Sequence, residues 1–144
     1  MTLHLIKLCV GIETVEDLQK WIAYRLDQMR QAGRPVEYFH TTRMVPKRRE
    51  ELLDGGSLYW VIKGQVQARQ KLRDIRPFTD DAGVKRCRLV LDTDLVPTRG
   101  QPKRPFQGWR YLKPGDAPAD LRGSEASEDI PPEMRRELME LGLL

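Results

Sequence analysis

MVPKRREELLDGGSLYWVIK, residues 44–63, joins a helix, a tight turn and a strand, and the other elements are placed relative to it. Pro46 suits the start of a helix, where its missing N–H needs no partner, and the residues after it are good helix formers. Gly55 and Gly56 end that helix, because glycine adopts positive φ angles without steric cost. The run that follows, SLYWVI, is aromatic and β-branched, which predicts a buried strand.

The same stretch carries a basic ridge beside Trp60, formed by Arg43, Lys47, Arg48 and Arg49. Cations next to an aromatic ring can hold phosphates while a base stacks on the ring, as in nucleic-acid binding. A solvated helix face and a core tryptophan would give the same pattern. We expect Trp60 to belong to the core, and we leave both interpretations open for the basic ridge.

The composition describes one globular domain with a highly charged surface. The chain has 144 residues, 32% of them charged, and a mean hydropathy of −0.57. It contains no apolar run of membrane-spanning length and no signal-peptide pattern, so we expect a cytoplasmic protein without membrane contact. Cys9 and Cys87 lie far apart in apolar runs, which predicts reduced packing cysteines and no metal site. His4 and His40 are expected to be hydrogen-bonded structural residues, since neither has a catalytic partner in the sequence.

Charge is unevenly distributed along the chain. From Asp120 onwards there are seven acidic and three basic residues, a net charge of −4. Because the whole chain has a net charge of +4, residues 1–119 carry +8. A basic body with an acidic tail is typical of nucleic-acid binders and also occurs in proteins without a polyanionic partner. We expect residues 1–113 to form one domain. Residues 114–144 are expected to form a linker and a short helix over 131–141, which docks on the body or on a partner protein.

Spacing of apolar residues places the remaining elements. Residues 3–10 predict a first strand and residues 36–45 a second, while Thr14 is a good N-cap for a helix reaching about Gln31. The apolar stripe of that helix contains Val15, Leu18, Trp21, Ile22, Leu26 and Met29, which are expected in the core. Residues 63–76 fit a helix or a strand. We favour a strand, because residues 80–83 form a turn into a clear strand at 84–91.

Prolines predict a loop over residues 92–105, followed by a last strand at 106–112. Between Pro97 and Lys113 there are five basic residues, three aromatic residues and no acid. Such a segment can grip phosphates while bases stack, at about 1–3 kcal/mol per stacked base. The alternative is a proline-pinned loop whose aromatic residues close a barrel, and we favour the binding role. The candidate nucleic-acid-binding residues are Arg43, Lys47, Arg48, Arg49, Lys63, Arg69, Arg99, Lys103, Arg104, Phe106, Trp109 and Arg110.

The chain lacks the common signature motifs of nucleotide-hydrolysing, dinucleotide-binding, zinc and serine-hydrolase sites. We therefore predict no cofactor and no metal, and we assign no catalytic residue.

Three runs, TRMVPKRREELLDGGSLYWVIKG, RPFQGWRYLKP and LHLIKLCVGI, resemble a family of small proteins of unknown function, mainly from alphaproteobacteria. The resemblance covers about residues 1–121 and implies no activity. The order of elements is also similar to that of the PUA-like group, which includes the ASCH and EVE domains. That likeness implies a barrel with a cleft for RNA or a modified base. ASCH amidohydrolases use a lysine, a threonine and an acid; Lys63, Thr41 or Thr42, and Glu50 or Glu51 are of these types but are not spaced as a match.

Together these observations predict an α+β fold. It is a PUA-like, mostly antiparallel β-barrel of five or six strands, with a long helix after strand 1, a short helix before strand 3 and an acidic C-terminal tail. The predicted function is binding of RNA, single-stranded nucleic acid or a modified nucleotide. The alternatives are an ASCH-like hydrolase acting on a modified nucleoside and a protein-interaction adaptor that uses the tail.

Overall fold

A computed structural model describes residues 2–121, which form a seven-stranded sheet with two α-helices. The elements in chain order are β1 (His4–Leu8), α1 (Val15–Gln31), β2 (Tyr38–Thr42), α2 (Arg49–Leu53), β3 (Ser57–Ile62), β4 (Gln65–Thr79), β5 (Lys85–Leu91), β6 (Val96–Pro102) and β7 (Trp109–Leu112). A single 3₁₀ turn, Pro114–Asp116, follows β7.

The strands lie in the order β2-β5-β4-β3-β1-β7, and β6 pairs with β4 outside this path. Strand β4 is long enough to pair with β3 and β6 through its first half and with β5 through its second. Strands β1 and β3 are parallel, and every other pair is antiparallel. The parallel pair is possible because α1, β2 and α2 supply the long connection that two parallel neighbours need.

The predicted barrel is wrong, because the sheet is mixed and does not close. It nevertheless curls strongly. His40 on β2 is three strands away from Trp60 on β3, which would be about 14 Å in a flat sheet, yet their ring centroids are 5.2 Å apart. The two edges meet through side chains: the indole N–H of Trp109 donates to the Met44 carbonyl at 2.8 Å, and the Lys47 N–H donates to the Tyr111 hydroxyl at 3.0 Å. It is the loop after β2, and not β2 itself, that contacts β7. Among the described residues, β2 and β7 are therefore not joined by a ladder of backbone hydrogen bonds.

Strand β4, Gln65–Thr79, confirms that the segment predicted over residues 63–76 is a strand and not a helix, with Lys63 and Gly64 forming the turn that precedes it. The turn after it is held by the Asp80 carboxylate, which accepts hydrogen bonds from the N–H groups of Ala82 and Val84 at 2.9 Å. The predicted loop over residues 92–105 is wrong in part, because β6 occupies its middle. Proline is tolerated in this strand although Pro97 has no N–H to donate. The Pro97 carbonyl still forms a hydrogen bond, because it accepts from the Leu121 N–H at 2.9 Å.

The larger part of the core lies between α1 and the concave face of the sheet. Thr14 caps α1 by accepting from the Asp17 N–H at 3.0 Å. The helix buries Val15, Leu18, Ile22 and Leu26 in a cluster that includes the buried Trp60, as expected. Trp21 was predicted in this core but is 43% exposed. At 3.6 residues per turn its side chain lies about 100° from the centre of the buried stripe, on the flank of the helix.

The chain beyond β7 remains attached to the body as far as the structure describes it. Arg69 donates two hydrogen bonds of 2.7 Å to the Asp120 carboxylate, and Asp120 forms a bridge with Thr98. The predicted helix over 131–141 and the rest of the acidic tail lie outside the described residues. Within residues 2–121, no helix is both long and apolar enough to cross a membrane.

Candidate nucleic-acid interface

An alternating row of aromatic rings and guanidinium groups lies where α1 meets the free edge of β2. The Arg25 guanidinium is 5.6 Å from the ring centroid of Trp21 and 5.8 Å from that of Phe39. The Arg88 guanidinium is 4.7 Å from the Phe39 ring and 4.8 Å from the Phe78 ring. Trp21 also stacks on Tyr24, with centroids 5.9 Å apart. We call this set, Tyr24, Trp21, Arg25, Phe39, Arg88 and Phe78, the arginine–aromatic row.

The row borders an open groove of about 1030 Å³. Three arginines line the groove, Arg25, Arg34 and Arg88, together with one acid, Glu37. The Glu37 carboxylate is already bound by Arg76 at 2.6 and 3.1 Å. None of the three lining arginines forms an ion pair with another described residue. The groove therefore combines a net positive charge with exposed aromatic surface.

Sequence reasoning missed this row because its members come from four separate elements of the chain, α1, β2, β4 and β5. Trp21, Tyr24 and Arg25 are spaced three and four residues apart on α1, so they lie on one side of the helix. Phe39 and Arg88 are brought together by the pairing of β2 with β5. The spacing on α1 was a usable signal, since it places a second aromatic face beside the buried stripe.

The predicted basic ridge is largely engaged within the protein. The Arg48 guanidinium pairs with Glu51 and lies 5.7 Å from the Tyr111 ring centroid. Arg49 pairs with Asp74 and donates to the Ile75 carbonyl at 3.2 Å. Arg43 and Lys47 are exposed. Two of the four cations thus already have carboxylate partners, which reduces the positive charge that the ridge can offer.

Lys63 and Arg69 are also tied to acids. Lys63, in the turn between β3 and β4, is 3.9 Å from the Glu13 carboxylate. Arg69 binds Asp120 and donates to the Ser57 hydroxyl at 3.0 Å, so it fastens the end of the described chain to the sheet. The Thr42 hydroxyl donates to the Met44 carbonyl at 3.0 Å. No described contact therefore brings Lys63 together with the threonine and glutamate residues of the ASCH comparison.

The predicted binding segment, residues 97–113, divides into a structural and an exposed part. Trp109 is 5% exposed and belongs to the core, so its ring presents no open face for a base. Phe106 is half-buried against the smaller apolar cluster on the convex face of the sheet. Above its ring lie Lys103 at 5.8 Å and Arg110 at 5.3 Å, and both are exposed, as are Arg99 and Arg104. The loop keeps a basic surface around one partly covered aromatic ring.

Comparison with known proteins places the chain in a family. The model of a family described as a protein of unknown function, DUF1489, matches residues 5–144. The chain belongs to this family. No curated protein and no solved structure matches it. The predicted membership of a family of unknown function is confirmed, and both the arginine–aromatic row and the basic loop lie within the part of the chain that the DUF1489 family covers.

The remaining titratable groups differ in how they are held. The His4 Nδ1 accepts from the Ser57 N–H at 3.0 Å, in keeping with a structural role. The His40 Nε2 is buried without a hydrogen-bond partner, contrary to expectation.

Cys9 and Cys87 are free thiols, as predicted, and burial raises the pKa of Cys9 to about 12. Within residues 2–121, no three His, Cys, Asp or Glu side chains come together as a metal site.

Proposed function

We propose that this protein binds RNA or single-stranded nucleic acid along the groove beside the arginine–aromatic row. The observation that supports this function is the alternation of Arg25 and Arg88 with exposed or half-exposed rings at stacking distance. Single-strand binders combine cations that track the phosphates with rings on which bases stack. A duplex would hide its base faces from these rings, which is why we favour single strands.

The basic loop around Phe106 is a second, weaker contact surface in this proposal. Lys103, Arg104 and Arg110 supply cations, but the ring beneath them is partly covered by the body. Phosphate contacts without an open ring contribute affinity and little base stacking. We therefore expect the groove to contribute more affinity than the loop.

The test compares variants in titrations of a labelled single-stranded oligoribonucleotide, followed by anisotropy. Trp21→Ala removes a stacking surface worth about 1–3 kcal/mol, so its Kd should rise roughly five- to hundredfold. Arg88→Ala should weaken binding and lower the slope of log affinity against log salt by about 0.7, the value for one phosphate on a single strand. The double variant Lys103→Ala and Arg104→Ala should lose less affinity than Trp21→Ala.

Lys85→Ala is the matched control, because Lys85 is an exposed cation at the start of the strand that carries Arg88. It should leave the affinity almost unchanged. Trp21 is also the one exposed tryptophan of the three, since Trp60 and Trp109 are buried, so base stacking should quench the intrinsic fluorescence of the wild type. Wild-type protein that binds no oligonucleotide at low salt, or a Lys85→Ala loss equal to that of Arg88→Ala, would contradict the proposal.

A further inference from the structure

The described part of the chain ends beside β6, on a course that leads back along that strand. The Leu121 N–H donates to the Pro97 carbonyl at 2.9 Å, and Asp120 forms an antiparallel bridge with Thr98. The last described residues therefore run antiparallel to β6. Because Leu121 lies opposite the start of β6, the chain leaves in the direction of the β5–β6 connection.

The start of β2 lies in that same direction. Strands β5 and β6 both pair with β4 on the side away from β3. Residues 119–121, beyond β6, and β2, beyond β5, are therefore edge segments on one side of β4. The partners of Val96 and Leu91 on β4 are three residues apart, a distance on the order of 10 Å. Leu91 is in turn the partner of Tyr38, the first residue of β2.

The groove beside the arginine–aromatic row begins just before β2, where Arg34 and Glu37 belong to its lining. We call residues 122–144, which follow the described part of the chain, the tail segment. Its 23 residues span up to about 80 Å when extended, so the tail segment can reach along the whole groove. A covalently attached segment needs only weak contacts to stay bound, because the attachment keeps its effective concentration high.

The tail segment and the groove are complementary in charge and in apolar surface. The tail segment contains six acidic residues and three arginines, a net charge of −3. The groove has three arginines that form no ion pair with another described residue, and its one acid is bound by Arg76. Trp21 and Tyr24 expose 43% and 53% of their surface there. The tail segment has apolar residues that can cover these rings, among them Ile130, Met134, Leu138 and Leu141.

We propose that the tail segment of the same chain occupies the groove when no nucleic acid is bound. Its carboxylates pair with Arg25, Arg34 and Arg88, and its apolar side chains cover the exposed rings. The docking itself needs no nucleic acid, whereas its consequence, competition between the tail segment and a single strand, rests on the proposed function. The tail segment then makes the groove selective, because only a strand that binds more tightly than the attached segment displaces it.

Paramagnetic broadening in the full chain tests the docking. Ser127→Cys carries a nitroxide label, since the two native thiols are buried or half-buried and react slowly. The indole N–H signal of Trp21, which lines the groove, should lose more intensity than those of the buried Trp60 and Trp109. Salt should restore the signal, because it screens exposed charge pairs.

An equal loss for all three tryptophans, or no loss at all, would overturn the proposal. A loss that disappears on dilution would place the tail segment of a second copy in the groove, which also contradicts docking within one chain.

Variants of the groove identify the contact. The double variant Arg34→Gln and Arg88→Gln removes two lining cations and should restore most of the Trp21 signal. The matched control, Lys71→Gln with Lys85→Gln, removes two exposed cations outside the groove and should leave the signal loss unchanged. Thermal melts verify folding, and Arg34→Gln alone, in the exposed connection before β2, replaces a double variant that fails to fold. An undiminished loss in the folded variant would refute docking in the groove.

Oligoribonucleotide titrations test the competition with two variants of equal charge change. One neutralises three acids of the tail segment: Glu125→Gln, Glu128→Gln and Asp129→Asn. The control neutralises three exposed acids outside the groove: Glu50→Gln, Asp54→Asn and Asp81→Asn. If the tail segment fills about nine of ten grooves, its release should lower the apparent Kd about tenfold. The control should have a much smaller effect, and equal effects would contradict the competition.

The two experiments separate this inference from the proposed function. A loss of the Trp21 signal without oligonucleotide binding by any variant would support the docking and refute strand binding. Oligonucleotide binding without a loss of the Trp21 signal would refute the docking and leave strand binding supported. When both hold, added oligonucleotide should restore the Trp21 signal of the labelled protein.

Discussion

Trp21 and Trp109 carry the same ring in opposite environments. Trp109 is 5% exposed and its indole N–H donates to Met44, while Trp21 is 43% exposed beside the groove. We predict that Trp109→Ala lowers the free energy of unfolding by about 3–5 kcal/mol, the range for large buried aromatic residues. Trp21→Ala should cost much less stability and should act mainly on binding. Urea unfolding of both variants measures the difference. An equal decrease in the free energy of unfolding for the two variants would contradict this prediction.

His40 should make stability depend on pH. Its pKa is about 4 in the folded protein, against 6.5 for the free side chain. Between these values the imidazole is protonated in the unfolded chain and neutral in the folded protein. The contribution of His40 to the free energy of unfolding is therefore fully present above pH 6.5 and is lost as the pH falls towards 4. The full loss is up to about 3 kcal/mol.

We predict that His40→Gln flattens this part of the stability profile, measured by urea unfolding at a series of pH values. His4→Gln serves as the comparison, because burial and the charge of Arg69 lower the pKa of His4 in the same direction, while its Nδ1 already has a hydrogen-bond partner in the Ser57 N–H. The carboxyl groups of Asp74, Asp80, Asp92 and Asp120 have pKa values below 3.8, so they titrate outside this window. An unchanged profile in His40→Gln would contradict the explanation.

At the scale of the elements, the turn between α2 and β3 depends on two glycines for different reasons. Gly55 has a φ of +84°, as its place after a helix predicts. Gly56 is required for close approach, because a Cβ there would lie 2.2 Å from the Leu52 carbonyl oxygen and 2.4 Å from that of Leu3. Both contacts are with backbone, which cannot move without displacing α2 or the start of β1.

We predict that Gly56→Ala destabilises the protein by about 3 kcal/mol or more, as overpacking against rigid backbone does. The control is Gly83→Ala in the β4–β5 turn. Gly83 has a φ of +78° but open space around it, so only the backbone strain of about 1–2 kcal/mol applies. Thermal or urea unfolding of the two variants tests this, and a smaller loss for Gly56→Ala than for Gly83→Ala would refute it.

For the whole molecule, the number of basic residues overstates the number of cations that are free of an acidic partner. Among the described residues, at least seven arginines are already in ion pairs: Arg30, Arg48, Arg49, Arg69, Arg73, Arg76 and Arg86. The arginines of the groove have no such partner among the described residues, and two of them lie against rings. Curling of the sheet brings these groups together at the edge of β2. A count of charges along the sequence therefore points to a polyanion without locating the contact.

Short-range chemistry explains what the sequence determined by itself. The cap and buried stripe of α1, the helix–turn–strand unit around Gly55 and Gly56, and the hairpin of β4 and β5 depend on neighbours a few residues apart, so residue types and spacing predict them. The open curl of the sheet, the exposure of Trp21, the burial of Trp109 and the contact of His40 with Trp60 were decided only by tertiary structure. They depend on how far the sheet bends and which residues its edges meet, and these follow from packing between residues far apart in the chain.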